Sequence, residues 1–244
     1  MRRPLQLAAL LLPAILGAEA AAQIHSPQVN LHKHHAPEDI SWLWQYTQPA
    51  PDGSENALAR DPRFKPLLQQ NLIAPQSFWG QDKPLHEAAL DYLGGPPGRL
   101  FADSNRYLNA DACVAHFCPD RGLLWIDTGL PKPFIVFAAM DWITENRATE
   151  DKAAAYTLWL FPNQPIDSSR IPAALIRSLR RWTAQPPSGS TDLQNITRVF
   201  LVDPDGTPHS LAPSAVGAHN ALPAETSNDP ATAPTPDPAP KAKP

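Results

Sequence analysis

The residues with the clearest capacity for chemistry are the two cysteines and the histidine between them, in the string Cys113-Val114-Ala115-His116-Phe117-Cys118. A bridge between the cysteines would close a short loop, for which chain entropy gives only about 2 kcal/mol. Rigidity, rather than global stability, is what such a bridge supplies. Cα atoms held ~5.5 Å apart push the four intervening residues outward, with His116 near the tip. Other chemistries of the same residues are open: a hairpin clasp with a bystander histidine, a redox pair, or a metal site of Cys113, His116, Cys118 and a fourth ligand. Redox catalysis ordinarily uses C-x-x-C where a strand enters a helix, and a thiolate site needs reduced sulfur. A second cluster, His25, His32, His34 and His35, could chelate a divalent ion. No Asp, Glu or Cys pattern completes it, so a solvated lead-in is the simpler account.

Strands must flank the cysteine string. Residues 106–114 alternate weakly, and 123–128, 134–140, 156–161 and 198–202 are apolar, β-branched or aromatic runs bounded by turn residues. Residues 54–72, broken by Pro62 and Pro66, and residues 84–93 predict short helices. In residues 171–182, Ile171, Leu175, Leu179 and Trp182 share a face opposite Arg170, Arg177, Arg180 and Arg181. The expected fold class is α/β (α+β), a mainly antiparallel sheet of about five strands with helices packed on it. Trp125, Trp159 and Trp182 fall inside these elements, where core packing is their default role.

The ends of the chain have a different character. Arg2 and Arg3 precede an apolar stretch that ends in small residues with A-x-A-like sites, so residues 1–22 are expected to be a signal peptide. Residues 23–37 form the flexible His-rich lead-in, 38–211 a single domain, and 212–244 a disordered Pro/Ala-rich tail without aromatic residues. Thirty prolines in 244 residues exceed the usual ~5%, and those of the domain bracket its predicted elements. The mature protein is expected to be periplasmic or secreted, where paired cysteines oxidise, with no membrane insertion.

The cysteine string resembles the signature loop of the Ivy family, secreted bacterial inhibitors of vertebrate lysozyme whose loop has the pattern C-x-x-H-x-C. Phe64, Leu67, Leu68, Ala74-Pro75, Phe78-Trp79, Pro84 and Tyr107 before the loop, and residues 123–127 and 134–140 after it, are similar in order to that family's features. The resemblance covers roughly residues 60 to 165 and extends toward 182. It implies an Ivy-like fold with a Cys113–Cys118 disulfide framing an inhibitory loop of Cys113, Val114, Ala115, His116, Phe117 and Cys118. His116 would plug the cleft of a lysozyme-type glycoside hydrolase. The family's loop is usually polar, with Lys and Pro before the His and Asp after it; here Val114, Ala115 and Phe117 make it apolar.

Composition narrows the alternatives. The formal charge of −4, or −5 once residues 1–22 are removed, gives no basic stripe for nucleic acid. No nucleophile elbow, H-E-x-x-H helix, paired-acid motif or Gly-rich phosphate loop is present, so the expectation is a non-enzyme with no cofactor. A homodimer is compatible with the sequence. The readings besides inhibition are a periplasmic metal-binding protein using the N-terminal histidines, and an envelope protein of the same fold without inhibitory activity.

Overall fold

The computed structural model describes residues 39–48, 56–75 and 83–218. Strands β1 (Arg99–Asp103), β2 (Tyr107–Val114), β3 (Phe117–Asp127), β4 (Phe134–Trp142), β5 (Ala155–Pro162), β6 (Asn195–Val202) and β7 (Pro208–Leu211) form one seven-stranded sheet in chain order. Every neighbouring pair is antiparallel except β5 and β6. That parallel step requires a long crossover, and residues 163–194 supply it with α3 (Ala173–Thr183). Helices α1 (Phe64–Asn71) and α2 (Leu85–Tyr92) precede the sheet and cover its other face.

The architecture is mixed α/β, but the sheet has seven strands rather than about five. The additional strands lie at its two edges and carry little hydrophobic signal. In β1 only Leu100 is buried, and β7 opens on Pro208 and buries no residue completely. Proline at the start of an edge strand leaves no ladder bond unmade that an inner strand would need.

Two cores follow from alternation along the strands. Leu108, Ala110 and Ala112 of β2, with Leu124 and Ile126 of β3, face α1 and α2. Leu123 and Trp125 face α3, where they meet Leu175, Leu179 and Trp182. Strand β4 is buried on both faces and is accordingly a near-continuous apolar run. Helix α3 has the amphipathic division expected of it, with Arg177, Arg180 and Arg181 exposed. Trp125 and Trp182 are core residues, whereas Trp159 is half-buried. Helix α2 approaches β3 closely enough that a Cβ at Gly122 would stand 3.0 Å from the Cβ and carbonyl oxygen of Tyr92.

Some boundaries differ from expectation. Of the predicted helical stretch 54–72, the described residues 56–72 are helical only over Phe64–Asn71. Pro62 lies among turns, and the Asp61 carboxylate receives the Arg63 backbone N–H at 2.8 Å. Strand β3 begins at Phe117, so Pro119 sits inside a strand rather than after the loop. It is tolerated because the ladder is interrupted there: Cys113 faces Arg121, but Val114 faces Phe117, leaving residues 118–120 unmatched. Order also continues past residue 211. Pro213–Val216 form a 3-10 turn, and Val216 is buried in the core beneath α3, so a burial partner overrides the local composition. The expected signal peptide of residues 1–22, the expected lead-in of residues 23–37 and residues 219–244 of the tail lie outside the described residues.

Asn163 ties three elements together. Its side-chain oxygen accepts the Ile135 N–H at 3.0 Å, and its Nδ2 donates to Asn71 Oδ1 at 2.9 Å and to the Pro133 carbonyl at 3.0 Å. Replacing it with leucine strands buried donors and acceptors on β4 and α1 at once. Asn163→Leu is expected to lower the unfolding free energy by about 2–4 kcal/mol, read as a lower denaturation midpoint with an unchanged m-value.

Candidate functional site

The cysteine string forms the end of the β2–β3 hairpin. Val114 and Phe117 close the ladder, and only Ala115 and His116 make the turn. The protrusion is therefore two residues long, rather than the four expected from the cysteine spacing. The reason is that strand pairing continues past the bridge. Val114 packs against the core beneath α1 and α2, and the Phe117 ring lies 6.0 Å from that of Trp142. Ala115 and His116 are exposed. His116 has φ of 66°, a left-handed conformation that histidine adopts more readily than branched residues.

The base of this turn is fixed from several directions. Cys113 and Cys118 are joined in a disulfide with Cα atoms 4.8 Å apart. With both sulfurs in that bond they are not available as thiolate ligands. Cys113 also exchanges two backbone hydrogen bonds with the segment before β1: Gly95 N–H donates to its carbonyl at 2.7 Å, and its own N–H donates to Pro96 O at 2.9 Å. On the other strand, Gln194 Nε2 donates to the Pro119 carbonyl at 2.6 Å, and the Trp142 N–H donates to Asp120 Oδ1 at 2.9 Å. A stiff base carrying a small exposed tip has little conformational freedom left to lose on contact with a partner of any kind.

Two polar clusters beside the hairpin were not anticipated from sequence. On the α2 side, the Tyr92 hydroxyl donates to Asp141 Oδ1 at 3.2 Å, close to Asp120. Burial pushes the Asp141 carboxyl up to about 6, against the opposing pull of hydrogen bonds from Tyr92 and Trp159. On the α3 side, Arg99, Asp111 and Arg121 meet beneath Trp182 around a cavity. Burial lowers Arg121 to about 10 and raises Asp111, so each charge sits where burial disfavours it. The available signal was charge set among the apolar residues of the inner strands: Asp111 in β2, Asp120 and Arg121 in β3, and Asp141 in β4. Among the described residues no group of three His, Cys, Asp or Glu side chains is placed to hold a metal ion. His25, His32, His34 and His35 lie outside the described residues. No described helix is long and apolar enough to cross a membrane.

Comparison of the chain with protein-family models, with curated proteins and with solved structures finds no match.

Two outcomes test this geometry. A Cβ at Gly95 would stand 2.5 Å from the Cys113 carbonyl oxygen, so Gly95→Ala must separate the segment before β1 from the hairpin. A loss of roughly 1–3 kcal/mol is expected by denaturant titration, with faster amide exchange at Gly95 and Cys113. Asp141 gives a pH signature. Its folded pKa lies above the ordinary value of 3.8, so the folded state holds a proton that the unfolded chain releases. The stability cost is absent below about pH 4, grows as pH rises toward 6 and is complete above it. Asp141→Asn is expected to stabilise the protein at pH 7.5 by about 1–2 kcal/mol, after allowance for partial exposure, and to give no gain at pH 4 in melting curves at the two pH values.

Proposed function

We propose that the protein is an Ivy-like inhibitor of a lysozyme-type muramidase, exported to the periplasm or secreted, which inserts the tip of its bridged hairpin into the catalytic cleft. The observation that carries this reading is the exposed Ala115-His116 turn on a base clamped by the Cys113–Cys118 bond, the Gly95 and Pro96 backbone pair, and the Gln194 and Trp142 contacts. The C-x-x-H-x-C pattern and the order of elements around it support the same reading. Exported location rests on residues 1–22.

The chemistry is direct. A lysozyme cleft holds two carboxylates, one protonated and one ionised. An imidazolium presents two N–H donors on opposite sides of a small ring, so one histidine can engage both acids. Ala115 beside it adds little bulk at the entrance. Val114 and Phe117, the apolar departures from the family's pattern, are occupied with the protein's own core and with Trp142. The apolar character of the string is thus largely spent on anchoring the hairpin. An acidic inhibitor also suits a basic enzyme, although this net charge gives only modest steering.

The test is inhibition of c-type lysozymes by the purified mature protein. Inhibition at micromolar concentration is expected, weakened at least about tenfold by His116→Ala, equivalent to roughly 1.4 kcal/mol, and less strongly by the paired Cys113→Ser and Cys118→Ser change. Absence of inhibition against several lysozymes overturns the reading. Undiminished inhibition by His116→Ala removes the histidine plug while leaving the interaction.

A further inference from the structure

The sheet face beneath α3 carries polar groups that the fold leaves unsatisfied. Asp111 and Arg121 are only 6% and 5% exposed. Asp111 Oδ2 faces the Arg99 guanidinium at 3.4 Å, while Oδ1 has no partner. Arg121 donates to the Trp182 carbonyl at 3.2 Å and lies over that residue's ring at 4.9 Å, but its Nε is unpartnered. Among the described residues no carboxylate comes within the 4.0 Å ion-pair distance of Arg121. Asn109 and Trp125, on the same sheet face, also keep buried polar atoms without partners.

Arg99, Asp111, Arg121 and Trp182 border a cavity of about 220 Å³, whereas Asn109 and Trp125 lie outside it. Arg99, Asp111 and Arg121 form its charged part. Pro96 and Pro97 before β1, and Pro186 and Pro187 after α3, are among its walls. Proline has no N–H and little freedom, so these walls are rigid, apolar and free of competing donors. With Asp111 matched to Arg99, the remaining charge is the single cation of Arg121. Asp111 attracts Arg121 without pairing directly with it; the three groups still leave one net positive charge, and a planar guanidinium suits a carboxylate in particular.

We infer that this cavity binds a compact organic monocarboxylate, its carboxylate taken by Arg121 and its apolar body held between the two proline pairs. The charge balance admits one negative group. The volume lies below the ~300 Å³ at which ordinary ligand pockets begin, which favours an acid the size of benzoate or 3-methylbutanoate over a peptide or oligosaccharide. The site is separate from the hairpin tip: Cys113 borders it, but Ala115 and His116 do not.

The experiment is calorimetric titration and thermal-shift measurement on the mature full-length protein. Benzoate and 3-methylbutanoate are compared with benzamide and 3-methylbutanamide, which keep the shape without the charge, and with inorganic phosphate. The acids are expected to bind and raise the melting temperature, and the amides and phosphate to do neither. Arg121→Met should weaken benzoate binding at least about tenfold, measured at a temperature where the variant is folded, since the change also removes the Trp182 hydrogen bond and ring contact. If that variant fails to fold, Ser188→Trp, an exposed position on the cavity wall, should give the same loss by obstruction. His116→Ala should leave binding unchanged, which separates this site from lysozyme inhibition. Equal response to acids and amides, phosphate binding as tight as benzoate, no binding at all, or undiminished binding by Arg121→Met or by Ser188→Trp would overturn the proposal.

Discussion

The pairing of β2 with β3 is the constraint on which the remaining features depend. From Tyr107 opposite Asp127 to Cys113 opposite Arg121 the two strands run in unbroken antiparallel register. That register sends Leu108, Ala110 and Ala112 to one core and Asn109, Asp111 and Cys113 to the other face. A slip of one residue would exchange the two sets and bury charges among α1 and α2. The far end is pinned by Arg106, whose guanidinium holds the Asp127 carboxylate with two bonds of 2.7 and 2.8 Å. The near end is pinned by the disulfide. Between these clamps the hairpin carries the exposed tip at its end and one side of the Arg121 cavity on its face.

Helices on both sides make that hairpin rigid in different ways. The α1 and α2 side is well packed, with Tyr92 against Phe137 and the close approach at Gly122, and it holds Asp141, whose charge burial disfavours. The α3 side is less completely satisfied. Trp182 covers Arg121, Arg181 reaches across to the Asp103 carboxylate and lies over the Phe101 ring, yet the polar atoms between helix and sheet outnumber their partners. Where local choices agree, a fold is merely stable; where they conflict, as in a charged residue set into an apolar strand, a second requirement is indicated. Both conflicts next to the hairpin, Asp141 and the Arg121 cluster, lie on the strands that frame the candidate site.

Much of the scaffold was legible because its signals are local. The amphipathic division of α3, the buried run of β4 and the turn after β6 are encoded by neighbours in sequence. The missing pieces lacked that local signal. Strand β1 has one buried residue and β7 begins with proline, so both exist because an inner strand offers an edge to pair with. Residues 117–120 read as a loop because Cys118-Pro119-Asp120 is a poor strand sequence. They extend β3 only because Gln194 and Trp142 hold the irregular segment. Val216 is ordered in a proline-rich stretch because α3 and β6 leave it an apolar site.

By itself the sequence determined that His116 lies between two cysteines close enough to bridge, that strands flank them, and that one helix carries an arginine face. These follow from spacing and period, which act over a few residues. Tertiary structure alone decided that the bridged string is a two-residue turn rather than a four-residue protrusion, because that depends on where the β2 and β3 ladder shifts. It also decided that Arg99, Asp111, Arg121 and Trp182 border one cavity, and that Tyr92 meets Asp141. Those meetings depend on register across strands and on where helices cross the sheet, distances in space that no local period encodes.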